Sequence, residues 1–362
     1  MQRADGAQRV QGTTARRGAP RAGGLGRAGT VALRAGWLSR AGVVALLVGL
    51  AALVASGLAG PQTVAAQRPR LRMAVLSFPA ISTFVGAVIR EAGIDRAHGL
   101  ELENVPYATI SAYYAAIATG EVDMLGGGPN VLQRMRLEGV PVRAVATLIR
   151  PSDLVLIARH PELRGVTDLK GRTLAADMGS QQFLLLAIYA RWKGLDLRRD
   201  VTIVQAPFPL ARAQLAAGRV DAAMLIEPVA TLAMRDSTAY RIIFNGRRAW
   251  REMTGNDGWE LIVWIRDDVV RRAPAQVDAV VKMLTGFQEF VRTNLDEADR
   301  IVARTTGLPA GAFKEAVLYR RLQFEVYPAW GRERGAIEQM FRLAVEAGVV
   351  ERLPDAGVIY RP

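Results

Sequence analysis

Two stretches about one hundred residues apart repeat one another in pattern: "IATGEVDM" (117–124) and "LAAGRVDA" (215–222). The likeness extends on both sides. Met73 and Leu174 stand 101 residues apart, Gly93 and Gly194 also 101, and Gly120 and Gly218 98. Within each copy, segments of strand and helix period alternate. The first copy reads as a strand (71–78), an amphipathic helix (82–93), a strand (100–107), a helix (110–120) and a short strand (122–125). The second repeats that order at 172–178, 182–194, 201–208, 210–218 and 220–225. The glycine closing each helix suits a left-handed C-terminal cap. Strands alternating with helices of this length predict parallel sheets with right-handed crossovers. Two copies are too few for a solenoid and make two similar α/β lobes.

Two strand-like segments lie between the copies, 141–149 and 152–159, and a third, 259–268, follows the second copy. The remainder reads as helices at 274–295, 296–307, 311–322 and 335–348, which complete the first lobe. The chain then passes between lobes twice, near 159–165 and near 250–258. Two passages make a hinge, and a hinge between two lobes makes a cleft. The predicted division is an extension and secretory signal (1–66), the first part of lobe 1 (67–160), lobe 2 (161–255) and the completion of lobe 1 (256–362).

Ligands of open α/β sheets bind beyond the carboxyl ends of the strands. Here those loops are "SFPAIS" (77–82), "GGGPN" (126–130), "MGSQQ" (178–182) and "IEPV" (226–229), with "YATI" (107–110) and "PFPL" (207–210) beside them. The expected ligand-binding residues are Ser77, Phe78, Tyr107, Gly127, Gly128, Pro129, Asn130, Gly179, Ser180, Gln181 and Glu227. The glycine triplet matches neither a P-loop, which needs a following Lys-Ser or Lys-Thr, nor G-x-G-x-x-G, because Val131 stands at the third glycine. It reads as a turn opening a helix with Pro129 at its first position, where free backbone N–H groups can meet a polar or anionic head. A close-packed turn without a ligand is the competing reading. Ser180 can serve as a helix cap as well as a contact. Glu227 can hold a ligand cation, fix the hinge or merely shape a turn. Trp250, Trp259 and Trp264 read as core.

Composition narrows the chemistry. There is no cysteine, which excludes disulfides, thiolate metal sites and cysteine nucleophiles. The two histidines, His98 and His160, lie far apart, so a histidine metal centre is excluded and a Ser-His-Asp triad has few ways to form. The net charge of +13 is concentrated at the amino end: residues 1–66 carry eight arginines against one acid. No basic cluster interleaved with aromatics follows, and no nucleic-acid partner is expected. The apolar run at 43–58, basic residues before it and "TVAAQ" (63–67) after it read as a secretory signal cleaved near Ala66/Gln67, releasing a soluble periplasmic chain. Arg16-Arg17 allows a twin-arginine route, and Val31 or Leu33 could be the true initiator.

The stretches "VLIARHPELRGVTDLKGRTLAADMGS" (155–180), "AQLAAGRVDAAMLIEP" (213–228) and "AAIATGEVDMLGGGPN" (115–130) resemble the periplasmic solute-binding proteins of the nitrate/sulfonate/taurine type, a group that includes relatives of thiamine-pyrimidine-synthesis proteins. The resemblance covers residues 70–362. It implies a type II periplasmic binding protein fold, two α/β lobes on a two-segment hinge, and delivery of a small solute to an ABC permease in the inner membrane. It places the ligand at loops matching Gly128, Gly179-Ser180 and Glu227-Pro228. The chain departs from many sulfonate-type members at Ile226, where they carry tryptophan. The expected role is the substrate-binding subunit of an importer capturing a small organic or anionic solute, a monomer without cofactor, metal or catalytic residue. An enzyme of pyrimidine or thiamine-precursor metabolism on the same fold, and a ligand-binding sensor subunit, are the alternatives.

Overall fold

The computed structural model describes residues 68–362; the expected secretory signal and the arginine-rich extension lie outside the described residues. The first copy forms β1 (Arg70–Leu76), α1 (Ile81–Glu91), the one-turn α2 (Ile94–Ala97), β2 (Glu101–Tyr107), α3 (Ile110–Thr119) and β3 (Met124–Gly127). Then come α4 (Pro129–Leu137), β4 (Val142–Ile149) and β5 (Val155–Ala158). The second copy forms β6 (Thr173–Ala176), α5 (Gln181–Trp192), α6 (Leu197–Asp200), β7 (Thr202–Gln205), α7 (Phe208–Ala216) and β8 (Ala222–Leu225). It is followed by α8 (Val229–Asp236), β9 (Arg241–Asn245), α9 (Gly246–Thr254) and β10 (Leu261–Arg266). Helices α10 (Asp267–Arg272), α11 (Pro274–Thr293), α12 (Leu295–Thr306), α13 (Ala312–Leu318) and α14 (Arg334–Glu346) end the series.

Two five-stranded sheets result, ordered β2-β1-β3-β10-β4 and β7-β6-β8-β5-β9. In each, the three strands of the duplicated unit run parallel and the last two join antiparallel. The duplication is visible in the register. Met73 lies opposite Asn104 and Met124, and its counterpart Leu174 lies opposite Ile203 and Ala222.

The repeated Val-Asp has a structural duty. Asp123 accepts from the Arg72 N–H at 2.9 Å while its own N–H donates to the Arg72 carbonyl at 2.8 Å. Asp221 does the same with Thr173, at 2.8 and 3.0 Å. Each aspartate therefore locks the start of a copy's first strand to the start of its third. The preceding glycines, Gly120 and Gly218, cap their helices at φ of 83° and 68°, a conformation that penalises any residue with a β-carbon.

The chain leaves the first sheet at Ile149 and enters the second at Val155, because β5 pairs with β8 and β9. The first passage thus lies at 150–154, upstream of the 159–165 expected from sequence, and upstream of a lobe boundary after residue 160. The neighbours of β5 come more than sixty residues later in the chain, so its pairing leaves no local trace. The second passage lies between α9 and β10, at 255–260. Strand β9 and helices α8 and α9 were not read from the sequence; "RIIFN" is too short to declare its period.

One core lies between the first sheet and helices α1, α11, α12 and α13, and includes Val88, Val263, Leu284 and Phe313. A second fills lobe 2 and continues beneath α3, α4 and α14. The terminal helix is not confined to lobe 1: Ala344 packs against Ile188 of α5. Trp250, Trp259 and Trp264 are fully buried, as read from the sequence. Trp259 carries the Arg150 guanidinium 3.6 Å above its ring and donates to Glu333 at 3.2 Å. Among the described residues, no helix is long and apolar enough to cross a membrane.

Candidate functional site: the cleft between the lobes

Four helices begin around one cavity. Ile81 and Ser82 in the first turn of α1, Ile110 at the start of α3, Gln182 in the first turn of α5 and Phe208 at the start of α7 all line it. Two of these helices come from each copy, at equivalent places: Ile81 and Gln182 are 101 residues apart, Ile110 and Phe208 98. Neither α1 nor α7 has a side-chain cap, so their first N–H groups are free to meet a polar group. Leu76, Tyr113, Tyr114, Ile226 and Leu261 supply an apolar and aromatic wall. The cavity holds about 30 Å³. That is space for one water, whereas a bound organic solute needs about 300 Å³ or more. The lobes are therefore closed upon each other.

The aromatic wall is tightly held. Tyr113 donates to the Gly126 carbonyl at 2.7 Å, and the Tyr114 ring stacks on Trp264 with centroids 5.5 Å apart. Burial raises both phenols above their ordinary value of 10, so they stay neutral donors. Ser82 accepts from the Leu76 N–H at 3.1 Å, which fixes the entry to α1.

The glycine triplet serves close approach. A β-carbon at Gly127 would stand 2.6 Å from the Trp264 ring. One at Gly128 would overlap the Gln181 side chain. Gly126 lines the cleft itself.

The loops expected to face a ligand from opposite sides face each other instead. The Asn130 N–H donates to Gln181 Oε1 at 3.0 Å, and Gln181 Nε2 donates to Asn130 Oδ1 at 2.9 Å. Both side chains are fully buried, and Asn130 Nδ2 also reaches the Met340 carbonyl at 2.9 Å. Pro129 takes the first helical position between them. Ser180 caps α5, accepting from the Phe183 N–H at 3.2 Å, and donates to the Asp177 carbonyl at 2.7 Å. Gly179 donates to Asp177 Oδ1 at 3.1 Å.

The other expected residues flank the cavity. Ser77 is exposed and ties the ends of β1 and β2 through the Tyr107 carbonyl, at 2.9 Å from its N–H and 3.2 Å from its hydroxyl. The Phe78 carbonyl accepts from the Thr83 hydroxyl at 2.9 Å. The Tyr107 phenol is pushed up to about 12 by burial and then by Glu121. Glu227, followed by a cis peptide bond to Pro228, points to neither solvent nor cavity. Its Oε2 accepts from the Thr231 N–H at 3.1 Å and hydroxyl at 2.6 Å, and its Oε1 meets Arg321 at 2.7 Å. Burial raises this carboxyl, and Thr231 and Arg321 oppose the rise. Arg321 follows α13, which packs on lobe 1, so the pair joins the lobes.

Several cavity residues escaped the sequence reading. Tyr113 and Tyr114 sit within a helix, where adjacent tyrosines look like ordinary packing. Gln182 closes the expected loop, one place beyond its last named contact, Gln181. Two further buried acids, Asp153 and Glu260, occupy the two interlobe passages. Their places could not be known before the passages were.

Two lobes, each a five-stranded sheet with one helix-rich crossover system, joined by two passages and closed over a cleft at the strand ends, define the periplasmic-binding-protein class of fold. Residues 90–298, more than half of the chain, match the NMT1/THI5-like family, and the chain belongs to it. The fold is shared with the alkanesulfonate-binding protein SsuA from Xanthomonas axonopodis pv. citri bound to MOPS, at TM-score 0.69 and 20% identity over 82% of this chain and 100% of that one. The periplasmic aliphatic sulphonate binding protein SsuA from Escherichia coli gives a TM-score of 0.66 and 19% identity over 81% and 92%. A ligand-binding component of an ABC-type import system from Staphylococcus aureus, with zinc bound, gives 0.62 and 11% over 81% and 97%. No curated protein matches the chain.

Proposed function

We propose that this protein is the solute-binding subunit of an ABC importer, capturing a small organic solute with a polar or anionic head in the interlobe cleft. The observation that carries the reading is the convergence of four helix starts, two from each copy, on one cavity. Helix N-termini attract negative charge and offer unpaired N–H groups, and the tyrosine, phenylalanine and leucine wall suits an organic body. The departure at Ile226 falls on that wall, so the ligand's body differs in shape from one that packs against tryptophan. The solute enters an open form, the lobes close, and the closed form docks on a permease. Binding favours closure by its differential affinity for the closed state.

A binding role fits the cavity better than catalysis. Its one hydroxyl from a serine, that of Ser82, is engaged with the Leu76 N–H, and neither histidine lines it. His98 instead bonds the Ile94 carbonyl at 2.8 Å, and His160 pairs with Asp221 at 3.2 Å. Export with cleavage near Ala66/Gln67 and a monomeric mature chain belong to the same reading; N-terminal mass spectrometry of the exported protein checks the cleavage. The test of function is a thermal-shift panel of alkanesulfonates, nitrate, carboxylates and aminopyrimidines at fixed pH. A stabilising solute is expected, and Ile110→Trp, which fills the cavity from one wall, should remove its effect. No stabilising solute, or one whose effect survives Ile110→Trp, would refute the reading.

A further inference from the structure

The two passages between the lobes each carry one buried acid. Asp153 precedes β5, and Glu260 immediately precedes β10; neither has any exposed surface. The passages are stitched together there: the Glu260 N–H donates to the Ile149 carbonyl at 3.0 Å. The two carboxyls are close enough to act on each other, Glu260 disfavouring the ionised form of Asp153. Gln182 Nε2 donates to Glu260 Oε1. Both Asp153 oxygens and Glu260 Oε2 are buried without a donor.

One amide donor cannot satisfy two ionised carboxylates in a dry site, and an unpaired buried charge is costly. A proton shared between them removes one charge and supplies the missing donor. The surrounding groups offer no alternative. Glu227, at the end of β8, adds negative charge near Asp153, and its own cation, Arg321, is engaged with it at 2.7 Å. Arg150, on the same passage as Asp153, is committed to Glu325 at 2.8 Å and Glu333 at 3.7 Å. Tyr114 of α3 faces Glu260 as a neutral phenol.

We propose that Asp153 and Glu260 form a proton-sharing latch across the hinge, so that closing the cleft takes up a proton and raising the pH opens it. The inference rests on the reading of a cleft that opens and closes. Glu260 sits behind Gln182, and Gln182 lines the cleft. Parting α5 from lobe 1 therefore admits water to the pair, and both acids can then ionise at their ordinary values. In the closed form, burial first and then the partner's charge raise Asp153 well above 3.8, and burial raises Glu260 above 4.5. The closed form thus binds more protons than the open one between the ordinary carboxylate range and the raised values. Closure is favoured as pH falls through that window and becomes independent of pH above it.

Cysteine is absent from the chain, so a pair of labels can be placed cleanly. Ser111 on α3, next to Ile110, and Leu210 on α7, two places after Phe208, are exposed, one in each lobe, and are replaced by cysteine (Ser111→Cys, Leu210→Cys). Spin-label distances in the solute-free protein, measured from pH 4.5 to 8.5, should show the open population growing with pH. For one proton the closed-to-open ratio changes about tenfold per pH unit inside the window. Asp153→Asn, whose amide donates to Glu260 without titrating, should flatten the profile, and Glu260→Gln should do the same. A distance distribution that does not change with pH, or a wild-type slope retained in both variants, overturns the latch. The thermal-shift panel at fixed pH judges solute binding separately.

Discussion

Gly128→Ala is the sharpest probe of how the lobes meet. Gly128 has φ −75° and ψ 142°, which alanine adopts freely, so the backbone is not strained. The new methyl group instead occupies the place of the Gln181 side chain. The nearest clash is with the Gln181 Cβ, which no rotation of the side chain moves, so the start of α5 must draw back from the loop, and both hydrogen bonds to Asn130, at 3.0 and 2.9 Å, are lost. Two such bonds contribute about 0.5–1.5 kcal/mol each, and a buried amide left unpaired costs about 1–3 kcal/mol. The closed form should therefore be weakened by about 2–6 kcal/mol, a shift of roughly 30- to 25,000-fold in the closed-to-open ratio. The interlobe label distance should lengthen accordingly, and the affinity of any solute bound only by the closed form should fall by up to the same factor. Within each lobe nothing is disturbed, so far-ultraviolet circular dichroism should not change. An unaltered label distance in Gly128→Ala would show that Gln181 yields at no cost and that this contact does not hold the lobes together.

Asp221→Ala leaves the Thr173 N–H unpaired at the start of β6 and should cost about 1–3 kcal/mol, read as a lower denaturation midpoint. Burial works against ionisation of Asp221, but Thr173 and then His160 hold its carboxyl below 3.8, so wild-type stability from this group is complete above that value and lost as pH falls through the folded-state value. The gap between wild type and variant should close accordingly in acid. Arg321→Ala leaves the buried Glu227 without its cation; because Arg321 is 28% exposed the loss should sit near the low end of the range for broken buried pairs, about 3 kcal/mol. Here too the gap closes in acid, but at higher pH than for Asp221: the Glu227 carboxyl lies above 4.5 and is raised further in the variant, so the loss is full at neutral pH and fades as pH falls toward 4.5, which denaturation at pH 4 and 7 would reveal.

The duplicated units were legible because each carries its own period and its own punctuation. Gly93, Gly120, Gly194 and Gly218 all adopt the left-handed conformation that a helix-closing glycine provides. Pairing that joins distant segments was not legible. Strand β5 reads as a further strand of lobe 1 until β8 and β9 claim it for lobe 2, and β9 is visible only once β5 is in place. The site was legible to the level of the loop. Leu76 beside Ser77, Gly126 beside Gly127, Gln182 beside Gln181 and Ile226 beside Glu227 are the residues that reach the cavity. A shift of one residue turns a side chain to the other face of a strand or a quarter-turn round a helix. Spacing alone does not set that phase at a loop, where neither period applies.

Equivalent positions also show where the two copies have parted company. Gly128 and Ile226 occupy matching places 98 residues apart, yet the first admits Gln181 across the interface and the second presents a branched side chain to the cavity. Tyr113 and Tyr114 correspond to Ala211 and Arg212 at the same offset. Ala211 is buried in lobe 2, and Arg212 turns away to Asp236, with Nε 2.8 Å from Oδ2. The tyrosine pair therefore belongs to lobe 1 alone, backed by Trp264 from β10, a strand outside the duplication, while lobe 2 offers Phe208. What the copies kept in common is what aims helix starts at the cleft: the aspartate locks, the helix-closing glycines and the parallel register. What they did not keep lines it. The shared elements set the geometry of capture, and the diverged ones set which solute fits, so substitutions at Tyr113, Tyr114 and Ile226 should change selectivity while substitutions at Asp123 and Asp221 change only stability.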